Sequence, residues 1–130
     1  MEFNLELPTR ANYIRQYIPH TSFLIDQSEY NTPLIIYQDK IINNWLQKKH
    51  YFNIDLLEQN DFTKLADLIG FLPEILIIGT GSKQVFPKQI KLLPIIQKKI
   101  AYDIMDTNSA CKTFNILQQE NRDVCAALLL

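Results

Sequence analysis

The chain has 130 residues, of which 47% are hydrophobic and 21% are charged, and its formal net charge at pH 7 is −1. This length and composition indicate one globular domain. The near-neutral charge disfavours a nucleic-acid-binding protein or a polybasic membrane-surface protein, because both need an excess of basic residues. All apolar runs fall short of the ~18 residues of a membrane span, so we expect no stable membrane insertion.

Targeting and cysteine patterns add little to this outline. The N-terminal residues lack the basic start and apolar core of a secretory signal, and we therefore expect a cytoplasmic protein. Two cysteines, Cys111 and Cys125, are too few for a disulfide framework and do not have zinc-ligand spacing. We expect both thiols to be reduced and buried, and the sequence predicts no metal and no cofactor.

The first half of the chain is predicted to be mostly antiparallel β-structure within a single domain spanning residues 1–130. Residues 1–12 mix apolar and acidic side chains and are expected to form an arm or an edge strand. Aromatic and β-branched content predicts further strands, and polar stretches between them predict turns. The strands are predicted at 13–18, 21–25, 33–37 and 41–46, with turns at 26–32 and 38–40.

The second half is predicted to alternate strands and helices. Its main element is the segment 73–81, whose apolar run at 75–78 has no polar alternation and is typical of a strand buried on both faces. A helix over 62–69, capped by Asn60 or Asp61 and ended by Gly70, precedes it. A β-α-β-α-β order is then completed by a helix at 93–99, a strand at 100–105, a helix at 108–121 and a strand at 124–130.

Two loops are predicted to form a ligand-binding cleft. The turn Gly79-Thr80-Gly81 follows the buried strand, and Asp106-Thr107-Asn108 follows the next strand and opens a helix. If the strands are parallel, both loops lie at one sheet edge, where ligands tend to bind in open α/β sheets. Glycine turns and helix N-termini favour anions. The candidates for binding a small anionic ligand are Gly79, Thr80, Gly81, Asp106, Thr107, Asn108, Thr113 and Asn115.

A purely structural explanation of the same residues stays open. The glycine turn lacks a Rossmann fingerprint, since Gln84 stands where a third glycine is needed, and the Walker lysine pattern is also missing. A tight turn at the glycines and a helix N-cap at Asp106 or Thr107 need no ligand.

No catalytic set is predicted from the residues. Cys111 near a helix N-terminus suggests a lowered thiol pKa and a redox role. However, it lies on the apolar stripe of that helix, and a Cys–His pair would need His20 or His50 to fold over it. Glu58 and Asp61 lie at a helix start, where the helix dipole favours acidic side chains, and we do not predict that they form a catalytic pair.

An ordered series of segments runs from about residue 13 onward: 23–25, 33–36, Trp45, 73–81, Phe86-Pro87, Ile100, 105–107, 110–117, Glu120, Arg122 and 124–127. This series resembles the family known as domain of unknown function 498, whose members include a mitochondrial complex I assembly factor and an adipogenesis-associated protein. The resemblance implies a three-layer α/β domain, not a Rossmann fold, with a central mixed sheet flanked by helices and an additional β layer from the N-terminal half. It suggests a bacterial stand-alone member.

Two functional hypotheses follow. The resemblance implies a protein-interaction or complex-assembly factor without catalysis, whose protein partner would belong to a respiratory or membrane complex. The alternative is a small-molecule binding protein or an enzyme that uses the cleft at the strand ends. The sequence predicts no nucleic-acid partner and leaves the oligomeric state open.

Overall fold

A computed structural model of the protein describes residues 13–130, and the predicted arm or edge strand at residues 1–12 lies outside them. The described part contains eight strands and three α-helices. The strands are β1 (Ile14–Ile18), β2 (Ser22–Ile25), β3 (Ser28–Tyr30), β4 (Leu34–Tyr37), β5 (Lys40–Asn43), β6 (Ile75–Gly79), β7 (Ala101–Met105) and β8 (Val124–Leu128). The helices are α1 (Gln59–Leu68), α2 (Leu93–Ile96) and α3 (Thr107–Gln119), with short 3-10 helices at Lys48–His50, Ile54–Leu56 and Gln89–Leu92.

Five strands form a mixed central sheet in the order β5-β4-β8-β6-β7. β6 is parallel to β7 and β8, whereas β4 is antiparallel to β8 and β5. β8 therefore joins the β-rich first half to the alternating second half. Leu76, Ile77 and Ile78 are all buried. The strand predicted from the apolar run, covered on both faces, is therefore confirmed.

The side chains of β6 alternate between two hydrophobic clusters, because successive residues of a strand face opposite sides of the sheet. Leu76 and Ile78 belong to the cluster that contains Phe62 and Leu65 of α1 and Ile95 of α2. These two helices therefore cover one face of the central sheet.

The opposite face carries both a helix and a second sheet. Ile77 packs in a cluster with Phe114 of α3 and Phe23 of β2. The strands β1, β2 and β3 form a separate antiparallel sheet in that order. The predicted three-layer α/β architecture, with a β layer from the N-terminal half, is thus confirmed.

Several predicted boundaries differ from the structure. The segment 26–32, predicted as a turn, contains β3. This strand forms through its pairing with β2 and has no apolar pattern. The N-cap of α1 is Glu58 and not Asn60 or Asp61; Asp61 instead accepts a hydrogen bond from the Glu58 N–H at 2.8 Å. β5 ends at Asn43, so Trp45 and Leu46 are buried from a loop.

Helix bounds in the second half also differ from the predicted ones. The α-helical part of the β6–β7 connection is only Leu93–Ile96, preceded by the 3-10 turn Gln89–Leu92. Lys99 has a positive φ of 59°, which ends the helical segment before β7. Asp106 is confirmed as the N-cap of α3, where its side chain accepts from the Ser109 N–H.

Candidate functional site

The two loops predicted to form a cleft do meet at one edge of the central sheet. β6 and β7 run parallel, with Gly79 aligned on Met105, so their carboxyl ends coincide. Directly after β6, the Thr80 N–H donates to the Met105 carbonyl at 2.9 Å. Parallel pairing therefore brings Gly79-Thr80-Gly81 and Asp106-Thr107 together, as the sequence predicts.

These loops are bonded to each other. The Thr107 N–H donates to the Gly81 carbonyl at 2.8 Å, and the Gly81 N–H donates to Thr107 Oγ1 at 2.8 Å. The Thr107 hydroxyl in turn donates to the Leu129 carbonyl at 2.9 Å. Thr107 is fully buried, so these polar groups hold the strand ends together.

Neighbouring atoms approach Gly79 and Gly81 so closely that neither position has room for a side chain. A Cβ on Gly79 would lie 2.9 Å from Thr107 Oγ1 and from Leu128 Cδ2, and 3.1 Å from Thr107 Cα. Gly81 has a φ of +97°, and a Cβ there would lie 3.0 Å from the Phe52 carbonyl oxygen. The glycine turn therefore packs against α3, β8 and the loop before α1.

Asp106 caps α3 and is held in its charged form. Its Oδ1 accepts from the Ser109 N–H at 2.9 Å, and its Oδ2 accepts from the Ser109 hydroxyl at 2.9 Å. The Ser109 N–H is the main reason that the pKa of Asp106 is lowered, although partial burial opposes the shift. Asn108, the second residue of α3, is exposed.

Thr113 and Asn115 lie further along α3 and contact other parts of the fold. The Thr113 hydroxyl faces Met105 Sδ at 3.5 Å. Asn115 is buried; its Nδ2 donates to the Ile14 carbonyl at 2.8 Å, and its Oδ1 accepts from the Ile14 N–H at 3.0 Å. Asn108 and Asn115 line a cavity of ≈80 Å³ between β1 and α3. The amide of Asn115 thus fastens β1 to α3.

The structure argues against an activated thiol at Cys111, because the side chain is buried. Burial raises the pKa of Cys111 to about 12, and the charge of Asp106 adds to this shift. Neither histidine pairs with the thiol: His20 Nε2 lies 3.3 Å from Ser82 Oγ, and His50 Nδ1 lies 3.9 Å from Asp61 Oδ2.

A larger cavity, of ≈400 Å³, lies beside Thr80. Thr80 is itself buried, and its hydroxyl donates to the Lys83 carbonyl at 2.5 Å. The imidazole of His20 packs against the ring of Phe52 in a tilted arrangement, with ring centroids 4.9 Å apart and an interplanar angle of 50°. The lining residues are His20, Phe52, Asn53, Asp55, Thr80, Ser82, Lys83 and Val85. We name this space the Thr80 cavity.

Sequence reasoning missed most of the Thr80 cavity, because its walls come from three separate segments. His20 follows β1, Phe52 precedes α1, and Ser82 follows β6. No local spacing links these residues, and only the assembled fold brings them together. Among residues 13–130, no group of three or more His, Cys, Asp or Glu side chains could hold a metal ion.

Comparisons with known proteins give a consistent family. A family model described as a protein of unknown function, DUF498/DUF598, matches residues 15–129. A 13 kDa major membrane protein of Francisella tularensis subsp. holarctica is 32% identical over 114 residues, which cover 82% of each chain. The NADH dehydrogenase [ubiquinone] 1 alpha subcomplex assembly factor 3 of Xenopus tropicalis is 41% identical over 81 residues, or 61% of this chain and 41% of that protein.

The fold is shared with solved structures. A crystal structure of a Bordetella parapertussis protein superposes with a TM-score of 0.76 at 24% sequence identity, covering 95% of this chain and 98% of the other. At this identity the likeness shows the three-layer architecture alone.

Proposed function

The chain belongs to the DUF498/DUF598 family of proteins of unknown function, and we propose that it is a protein-interaction domain that assists the assembly of a protein complex and carries no reaction of its own. The observation that carries this proposal is the 41% identity to a complex I assembly factor over 81 residues. The aligned part is 41% of that relative, so the partners of the relative are not carried over to this chain, and the proposal concerns only the kind of activity.

The geometry of the strand ends supports the same proposal. Most polar groups that the sequence places at the predicted cleft are used to join β6, β8 and α3, through Gly81, Thr107 and Leu129. The Asp106 carboxylate likewise serves the first turn of its own helix. These residues are therefore explained by the fold without a substrate.

Affinity purification after mild cross-linking in the native host tests the proposal. We expect one partner, or one defined set of partners, to be recovered in stoichiometric amounts and identified by mass spectrometry. An excess of untagged chain is the matched control, because it should displace a specific partner and leave adhesive background unchanged. A chain that is recovered alone in the presence and absence of competitor would contradict the proposal.

A cytoplasmic location, expected from the sequence, is part of this proposal. Within the described residues, no helix is long and apolar enough to cross a membrane. One relative nevertheless carries the name of a major membrane protein. Fractionation of host cells into soluble and membrane pools, before and after a high-salt wash, measures where the chain resides.

A second candidate function is binding of a small anion in the Thr80 cavity. Lys83 supplies a positive charge there, and His20 and Ser82 supply hydrogen-bonding groups. Asp55 lines the same cavity and opposes this preference. The cavity, rather than the glycine turn itself, is the open space that the alternative hypothesis requires.

Thermal unfolding tests the second candidate. A ligand that binds only the folded state raises the melting temperature. Potassium phosphate and potassium succinate are compared with potassium chloride at equal ionic strength, so that ionic-strength effects cancel. The general stabilisation that phosphate gives by exclusion from protein surfaces should persist in the His20→Asn variant, which separates it from binding. His20→Asn keeps a residue that tolerates the positive φ of 60° but removes the imidazole, and should abolish a real shift. An unchanged melting temperature in all three salts would rule out binding of these anions.

A further inference from the structure

One long part of the chain is basic and has exposed apolar side chains. Residues 75–102 contain five lysines and no acidic residue, although the whole chain has a net charge of −1. Within this part, Phe86 and Ile90 are 68% and 60% exposed, more than any other large hydrophobic side chain in residues 13–130. Lys83 and Lys88 are exposed beside them in the sequence. The near-neutral total charge therefore conceals a basic region.

The loop before α1 extends this region. The Lys91 ammonium donates to the Asp55 carbonyl at 3.1 Å, which fixes the 3-10 turn Gln89–Leu92 beside the turn Ile54–Leu56. Leu56 is the last residue of the Ile54–Leu56 turn, and Phe52 lies two residues before that turn. Both side chains are 48% exposed. We define the basic apolar face as Phe52, Leu56, Phe86, Ile90, Lys83 and Lys88.

Two acidic residues border the basic apolar face. Asp55 lies on the Ile54–Leu56 turn, and Asp103 lines a cavity of ≈320 Å³ next to Phe86. The Asp103 carboxylate accepts a hydrogen bond from the adjacent Ile104 N–H at 3.0 Å. Lys83, Lys88 and Lys91 exceed these two carboxylates by one positive charge.

We propose that the basic apolar face docks on the surface of an anionic lipid bilayer. Amphipathic surfaces bind such membranes when apolar side chains enter the headgroup boundary and lysines meet anionic lipids. Long lysine side chains can place their ammonium groups among the headgroups while their methylene stems lie along apolar surface. The charge of the face is thus complementary to the proposed occupant.

The composition favours a bilayer over a protein partner. Protein–protein interfaces are depleted in lysine and enriched in arginine, whereas residues 75–102 contain lysine and no arginine. The apolar side chains with the greatest exposure are carried on a loop and a short 3-10 turn, from which they can enter a soft surface without a matching partner.

Co-sedimentation of the full chain with vesicles tests this proposal. We expect binding to phosphatidylcholine vesicles that contain phosphatidylglycerol, little binding to pure phosphatidylcholine, and loss of binding as salt is raised. Lys83→Gln with Lys88→Gln should weaken the partition coefficient roughly fivefold for each lysine removed. Phe86→Ser with Ile90→Ser should weaken it on the order of tenfold or more, because the apolar contribution is lost.

The matched control is Ile116→Ser with Lys112→Gln, the same types of change at two exposed positions of α3. These residues lie on a helix that covers the other face of the central sheet, so the control should bind like the unmodified chain. Emission of Phe86→Trp should shift to the blue on anionic vesicles, and that of Ile116→Trp should not. An unmodified chain that stays in the supernatant with both vesicle types at low salt overturns the proposal, as does a control that loses binding equally. The first result would direct attention to a protein occupant.

Discussion

Thr107 and Gly81 form a reciprocal pair of hydrogen bonds. The N–H of Thr107 donates to the Gly81 carbonyl, and the N–H of Gly81 donates to the Thr107 hydroxyl oxygen, each at 2.8 Å. The pair closes the edge of the sheet at which the sequence predicts a cleft. The same residues that suggest an anion site thus form a structural joint between the ends of β6 and β7.

Removing the Thr107 hydroxyl should destabilise this joint. Thr107→Val keeps the shape of the side chain but leaves the buried Gly81 N–H and Leu129 carbonyl without their partner. Each unsatisfied buried group costs about 1–3 kcal/mol, so we expect a loss on the order of 3 kcal/mol in the free energy of unfolding, measured with urea. Thr107→Ser, which keeps the hydroxyl, is the control and should lose only about 1 kcal/mol. Equal losses in the two variants would contradict a stabilising role of the Thr107 hydroxyl.

Gly79 should not tolerate even a methyl group. Gly79→Ala places a Cβ within 3.1 Å of the Thr107 backbone, which must shift to accommodate it. Overpacking of this kind costs about 1–3 kcal/mol. Gly70→Ala is a matched control, because its nearest contact is 3.4 Å from the Asp67 carbonyl, and it should be neutral or slightly stabilising. Comparable melting temperatures for the two variants would refute the close packing.

Asn115 should be essential for holding β1 in place. Asn115→Ala removes both hydrogen bonds to the main chain of Ile14. We expect a loss on the order of 3 kcal/mol in stability and faster tryptic cleavage after Arg15. Asn108→Ala alters an exposed amide on the same helix and should stay within about 0.5 kcal/mol of the unmodified chain. Unchanged cleavage of Asn115→Ala would show that packing alone retains β1.

The order of strands and helices along the chain could be predicted because it depends on local patterns. The apolar run that became β6 and the Asp106 cap of α3 each follow from adjacent residues. In contrast, β3 is a polar Ser-Glu-Tyr segment whose strand state comes from its pairing with β2. The position of β8 between β4 and β6 is likewise a property of the assembled sheet.

The candidate site could be predicted only in part, for a related reason. Parallel pairing of neighbouring strands brought Gly81 and Thr107 together as expected. Whether their polar groups face open space or each other depends on distances that sequence spacing does not contain. Asn115 meets Ile14 across 101 positions of sequence, and His20 meets Ser82 across 62, so neither contact has a local signal.

The charge of Asp106 should contribute to stability only above acidic pH. Its folded pKa is lowered by the Ser109 N–H, so the contribution is present above the ordinary aspartate pKa of about 3.9 and is lost as pH falls through the lower folded value. Asp106→Asn keeps a capping oxygen without the charge. We expect the unmodified chain to be more stable at pH 7 by up to about 1 kcal/mol. Urea unfolding across a pH series should show this difference shrinking below pH 4; a difference that grows in acid would contradict the sign.

Cys111 should behave as an inert core thiol. Burial raises its pKa to about 12, so almost none of the reactive thiolate is present at pH 8, and the side chain is also shielded from reagents. Iodoacetamide should therefore modify Cys111 in the folded protein roughly a hundredfold or more slowly than a cysteine in a short peptide. The modified peptide is assigned by mass spectrometry, which separates Cys111 from Cys125, which is also buried. Urea should restore a peptide-like rate, which serves as the internal control. Rapid alkylation in native buffer would revive the redox hypothesis that burial argues against.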